Sequence, residues 1–312
     1  YYQELIEAEC LAEELYYSLA ATFSRSRQLR DEMYEEHLGK KGLLVPFLEK
    51  HNTPVLTYFA YNYFSLIHMI GRDYLQAVEE CHIALKRLES VEREVRQLWV
   101  FTISFRMLQC HFQLKNYHAG ELVVKRCLEL TETGSIYNHF ISREMYLLLN
   151  LHTERYENAC NIYWEAINSS RYKNLGSRTQ ENWKIYGAFI QYLIEIGVIS
   201  SVDNPLAEKT FRIGKFLNEV PTYSKDKRGL NIPILIIQIL FLLHRRRFSD
   251  VIDRMEALNI YVYRYLKKDA NFRSNCFVKM LLTLPQADFH RQGVIRKASK
   301  YYKKLLAEPL EV

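Results

Sequence analysis

The chain has 312 residues, 48% hydrophobic and 25% charged, with only 11 Gly and 7 Pro and a net charge of +6. That balance excludes a disordered polymer, and the scarcity of the turn-forming residues that sheets need favours long helices. The charge is uneven: residues 1–156 carry 17 Lys/Arg against 21 Asp/Glu, and residues 157–312 carry 25 against 15. A basic second half suits nucleic acid, an anionic membrane surface or an acidic protein, and equally a solvated face.

In chain order, "YYQELIEAECLAEELYYSLAATF" (1–23) and roughly residues 26–50, with Pro46 near the end, form a helical pair. Such a pair over residues 1–53 suits the cap that shields the first apolar face of a repeat array. Five apolar runs of helix length then follow at 54–70, 93–114, 136–151, 179–197 and 230–245, each succeeded by a shorter segment. Those segments are "YLQAVEECHIA" (74–84), "YHAGELVVKRC" (117–127), "YENACNIYWEA" (156–166), "NPLAEKTFRIG" (204–214) and "FSDVIDRMEAL" (248–258).

Aligned, their fourth positions read Ala77, Gly120, Ala159, Ala207 and Val251, and their eleventh Ala84, Cys127, Ala166, Gly214 and Leu258. Seven residues is nearly two helical turns, so each pair shares one stripe, and in the first four segments small side chains there let another helix approach closely. Helix starts are assigned to Asp73, Asn116, Thr153 or Glu154, Asn204 (with Pro205 at the first helical position) and Ser249. The result is five helix–turn–helix units over 54–263 and a basic helical pair over 264–312, built from 270–284 and 290–306.

Tyr74/Ala77/Ala84, Tyr156/Ala159/Ala166 and Tyr117/Gly120/Cys127 resemble the second helix of the tetratricopeptide repeat (TPR). The steps of 43, 39, 48 and 44 residues exceed the roughly 34 of that family, and its helix-ending proline is missing. The tail "RYLKKDANFRSNCFVKMLLTLP" (264–285) is also similar to uncharacterised bacterial proteins of this kind. The resemblance implies an all-α, TPR-like α-solenoid that binds a protein or peptide on its concave face. Carrying the family's register over places Asn62, Arg106, Gln109, Gln113, Glu144 and His152 on that face.

The stretch "LNIPILIIQILFLLHRRRF" (230–248) raises the question of a membrane anchor. Fourteen apolar residues span about 21 Å as a helix, against about 30 Å of hydrocarbon, and Asn231 and Gln238 interrupt them. The run also fills the first-helix slot of the fifth unit, so it reads as a core helix with no membrane insertion.

No P-loop, dinucleotide-binding glycine motif or His-Glu-x-x-His occurs. Glu79/His82 lacks the partners of a di-iron site, and the neighbours Cys81-His82 and Cys110-His111 diverge by about 100° on a helix, so no metal and no cofactor is expected. The six scattered cysteines, without a Cys-x-x-Cys, suit a reducing cytoplasm. No signal peptide is visible, although the chain opens on Tyr1 rather than Met, which leaves that observation little weight. In "HRQGVIRKASKYYKKLL" (290–306), Arg296, Lys300, Lys303 and Lys304 recur at helical spacing between tyrosines. That pattern fits anion or nucleic-acid binding as well as a solvated helix. The expectation is a protein-binding scaffold without catalytic residues. A nucleic-acid-associated or regulatory sensor module using the basic half ranks second.

Overall fold

The small residues of the repeat decide where helices meet. The structure, a computed structural model, describes residues 2–23, 27–90, 93–202, 204–207, 211–219, 231–265 and 272–307, and no strand occurs among them. The chain divides into two compact units, Tyr1–Arg155 and Tyr156–Glu311. The boundary falls where the sequence passes from net acidic to net basic.

The first unit runs α1 (Tyr2–Phe23), α2 (Arg27–Lys41), α3 (Val45–Lys50), α4 (Pro54–Ile70), α5 (Tyr74–Arg87), α6 (Arg93–Gln113), α7 (Tyr117–Leu130) and α8 (Ile136–His152). Helix α1 packs on α4, and each helix from α4 to α7 packs on the next. The stripe Ala77, Cys81, Ala84 and its counterpart Gly120, Val124, Cys127 are buried. A Cβ at Gly120 would lie 2.6 Å from Leu149 Cδ2, so glycine lets α7 and α8 come this close without moving the Leu149 side chain. Thr53 caps α4 by accepting from Leu56 N–H, Asp73 caps α5 through Gln76 N–H, and Asn116 caps α7 through Ala119 N–H. What was read as one second helix is two, α2 and α3, separated by a turn at Gly42–Leu44.

One turn recurs with the repeat. Arg72, Lys115, Glu154 and Arg246 have φ of 63°, 52°, 60° and 55°, each two residues before the aromatic that opens the next helix. The N–H of the following residue returns to a carbonyl five residues back: Asp73 to His68 (2.8 Å), Asn116 to His111 (3.0 Å), Arg155 to Asn150 (2.8 Å) and Arg247 to Leu242 (2.9 Å). These are Schellman closures made without glycine. Glu154 therefore occupies the turn itself, Thr153 ends α8 by donating to the Leu149 carbonyl at 2.7 Å, and neither starts the next helix.

The second unit runs α9 (Tyr156–Asn168), α10 (Ser177–Glu195), α11 (Ile213–Glu219), α12 (Asn231–His244), α13 (Phe248–Tyr265), α14 (Phe272–Leu281), α15 (Thr283–Gln286) and α16 (Arg291–Ala307). Ala159 and Ala166 of α9 are fully buried, and Tyr163 between them stacks on the buried Trp183 of α10 at 6.1 Å. The run 230–243 is a core helix where it is described: Ile234, Ile237 and Phe241 pack toward α10 and α11, while Leu235, Ile239 and Leu242 pack with Val251, Met255 and Leu258 of α13. Partners on two sides explain why it is apolar all round, and among the described residues no helix is long and apolar enough to cross a membrane.

The fourth repeat segment departs from expectation. Residues 205–207 form a turn, helix α11 begins only at Ile213, and Gly214 is exposed. Asn204 Oδ1 accepts from Leu206 N–H at 3.0 Å, and its amide donates to the Ser200 carbonyl at 3.1 Å. Asn-Pro serves here as an Asx turn, the other structure the same two residues support. Ser249 lies inside α13, which starts one residue earlier.

Candidate functional site

The first unit carries a continuous row of aromatic rings. Tyr16 and Tyr17 in the second half of α1 lie 6.0 and 5.8 Å from Phe59 of α4. Phe59 meets Tyr58 edge-on at 5.1 Å, and Tyr58 stacks on Trp99 of α6 at 5.1 Å. All are partly exposed, Tyr17 by 55%. Rings on open helix faces give large, rigid contact area at low entropic cost.

Along α6, Trp99, Thr102, Arg106, Gln109 and Gln113 follow helical spacing, and each is only partly buried. The Arg106 guanidinium sits 5.9 Å from the Tyr16 ring. Its Nε is buried without a hydrogen-bond partner, and no carboxylate pairs with it among the described residues. Burial pushes the Tyr58 hydroxyl pKa upward, moderated by the Thr102 hydroxyl and by the Arg106 charge, which places that charge beside the row of rings. A partly buried cation with no counter-ion is costly in the free protein and ready for an anion.

Of the residues expected on this face, Arg106, Gln109 and Gln113 lie together on α6. Asn62 requires a correction. It is 1% exposed, because α4 is covered from Tyr61 onward, and its amide donates to the Tyr58 carbonyl at 2.8 Å. Its Oδ1 is buried with no partner, so it belongs to the wall behind the site. Glu144 is partly buried on α8. His152, exposed at the end of α8, lays its ring on Phe112 at 4.7 Å. Partial desolvation of that ring and the Lys115 charge hold its pKa below the ordinary imidazole value.

The rings were missed by sequence reasoning. Trp99 was within reach, two turns before Arg106 on the same stripe. Tyr16 and Tyr17 join only because α1 packs on α4, which no periodicity reveals.

In the second unit, Arg296 and Lys300 line a cavity beside α14 and α15, while Lys303 and Lys304 are exposed outside it. Arg245, at the end of α12, forms a two-pronged pair with Glu195 (2.8 and 2.7 Å) and also reaches the Phe211 carbonyl at 3.2 Å. Its role is therefore structural. Among the described residues, no three His, Cys, Asp or Glu side chains are grouped as a metal would need. Cys81 is buried between helices, and that burial pushes its thiol up to about 12.

Stacked helix hairpins with a repeated turn and a repeated small-residue stripe define an all-α helical-repeat protein. No family model matches the sequence, and no curated protein does. The chain is similar to the crystal structure of the apo form of RapI, with a TM-score of 0.56 and 14% identity over 94% of this chain and 85% of that one. At that identity the likeness speaks for the fold alone.

Proposed function

We propose that the chain is a non-catalytic interaction scaffold of TPR-like kind, whose first unit captures an extended peptide segment of a partner protein. The row of rings from Tyr17 to Trp99 takes apolar or aromatic side chains, and Arg106 takes a carboxylate. The observation that carries this reading is the partly buried Arg106 guanidinium without a counter-ion beside five partly exposed rings. Thiols without disulfides accord with a cytoplasmic setting. The second reading, a nucleic-acid-associated module, rests on the exposed Lys303 and Lys304 of α16.

The test is selection of peptides from a random displayed library against the intact chain, followed by anisotropy titrations of labelled hits. The expected hits carry a carboxylate next to apolar residues. They weaken at least about tenfold in Arg106→Met and in Tyr17→Ala, and are unaffected by Lys303→Gln/Lys304→Gln. Failure to enrich any peptide, or hits indifferent to both first-unit substitutions, rejects the reading. A labelled single strand held at about 200 mM salt through the tail lysines would favour the second one.

A further inference from the structure

Helices α14, α15 and α16 enclose a recess in the second unit that no part of the scaffold reading uses. It has a volume of about 370 Å³, and its walls include Lys279, Arg296, Lys297, Lys300, Thr283 and Tyr301. Four cations face this space and no carboxylate lines it. Lys297 donates to the Gln286 carbonyl, and Lys300 Nζ lies 4.8 Å from the centre of the Tyr301 ring. Lys279 and Arg296, brought in from different helices, have no ion-pair or hydrogen-bond partner among the described residues. Thr283 is buried and gives its hydroxyl proton to the Met280 carbonyl at 2.6 Å, so the cations alone are left to attract an anion here.

Helical periodicity accounts for cations on one solvated face, but not for cations converging from α14 and α16 on one concavity. All four are exposed to solvent, which screens them, but four like charges around one recess still repel one another and no carboxylate lines it to offset them. We propose that this recess binds a small molecule carrying a diphosphate group. Two linked phosphates supply about three negative charges near neutral pH, enough to engage cations on both walls at once. A single phosphate brings about half that charge and leaves more of the four cations uncompensated. The Arg296 fork suits two oxygens of one phosphate, and Lys279 and Lys300 serve as point charges on the other. The volume lies at the small end of ligand sites, which fits a diphosphate and its carrier but encloses no polymer strand. A strand would instead run along the outer face of α16 over Lys303 and Lys304.

The proposal is tested by calorimetric titration of the intact chain with inorganic pyrophosphate, with inorganic phosphate and with a single-stranded oligonucleotide, at roughly 150 mM salt. Pyrophosphate is expected to bind at one site per chain, at least about tenfold more tightly than phosphate. Arg296→Gln and Lys279→Gln should each weaken it by about tenfold or more, while Lys303→Gln/Lys304→Gln on the same helix changes it by less than about twofold. Circular dichroism of each variant separates a lost site from a lost fold. No saturable binding by millimolar pyrophosphate, or equal losses from the recess and outer-face variants, overturns the proposal. So does an oligonucleotide that outcompetes pyrophosphate and depends on Lys303 and Lys304. None of these outcomes touches Arg106, so failure here and failure of the peptide reading are separable.

Discussion

Arg106→Met should make the free protein more stable while removing its capacity to bind. The substitution keeps an unbranched apolar stem and deletes a buried Nε without a hydrogen bond, on a guanidinium that no carboxylate balances. An unmet buried polar group costs about 1–3 kcal/mol. The loss to set against this is the contact with Tyr16, which at 5.9 Å lies at the limit of useful cation–π distance and contributes at most about 0.5–1 kcal/mol. The balance is a gain near 1 kcal/mol, or a rise in Tm of about 2–4 °C for a cooperative unit of this size. Thermal melts of wild type, Arg106→Met and Arg106→Lys measure it, the lysine variant keeping the charge without the fork. The same Arg106→Met protein should bind selected peptides at least about tenfold more weakly. If Arg106→Met instead loses 1 kcal/mol or more, the guanidinium is a structural tie and the argument for an anion site on α6 collapses.

Other perturbations probe the frame around that site. Ala159 is fully buried, so Ala159→Glu forces an unpaired charge between helices and should cost on the order of 4 kcal/mol in urea denaturation; a wild-type midpoint would show the repeat register to be wrong. Lys115 is exposed with φ of 52°, and Lys115→Gly should relieve strain worth about 1 kcal/mol, less a few tenths for the freer unfolded chain; a clear drop in stability would rule out strain at this turn. Burial holds His37 and His111 below the ordinary 6.5, helped by the Lys40 charge and by His82 respectively. The unfolded chain therefore takes up these protons first. Stability should be full above about pH 6.5 and fall as the pH drops through that value toward the lower folded pKa values. A urea midpoint that rises between pH 7.5 and 5.5 would contradict this. Glu80 does not add to that slope: although burial raises its pKa, its polar contacts with His68 and Lys41 hold it below the ordinary 4.5.

The helix frame was legible because its two signals are local. Apolar runs at 54–70 and 136–151 became α4 (Pro54–Ile70) and α8 (Ile136–His152), and Asp73 and Asn116 cap the helices they precede. What failed was local chemistry with two outcomes. Asn204-Pro205 supports either a cap or an Asx turn, and the choice is settled by the Ser200 carbonyl and Cys160 sulfur that receive the Asn204 amide at 3.1 and 3.4 Å. The repeated turn was illegible for the opposite reason. Glycine is the expected residue at positive φ, but Arg72, Lys115, Glu154 and Arg246 hold that conformation because the backbone closure behind each one compensates.

The site was legible only as far as one helix extends. The register carried over from the resembled family grouped Arg106, Gln109 and Gln113, but it could not know that α4 is covered at Asn62 or that α1 brings Tyr16 to Arg106. Residue type misleads in the same way. Lys41, Glu80 and His68 are the side chains one would scan for acid–base chemistry, and they do meet: Lys41 donates to Glu80 at 2.6 Å and to His68 at 3.0 Å. Yet Glu80 is 5% exposed and these hydrogen bonds are made within the group, which is how a tie between α2, α4 and α5 is built. Arg106, Lys279 and Arg296 belong to no recognisable motif, and they are the cations left without partners among the described residues while facing a ring-lined surface or a recess. A polar group satisfied from within the chain contributes to the fold, whereas one set into concave or aromatic surroundings and left unsatisfied lowers the free energy of the complex more than that of the free protein. That difference is the ground for the peptide surface proposed at Arg106, whereas the diphosphate site proposed at the recess rests on exposed cations converging from two helices.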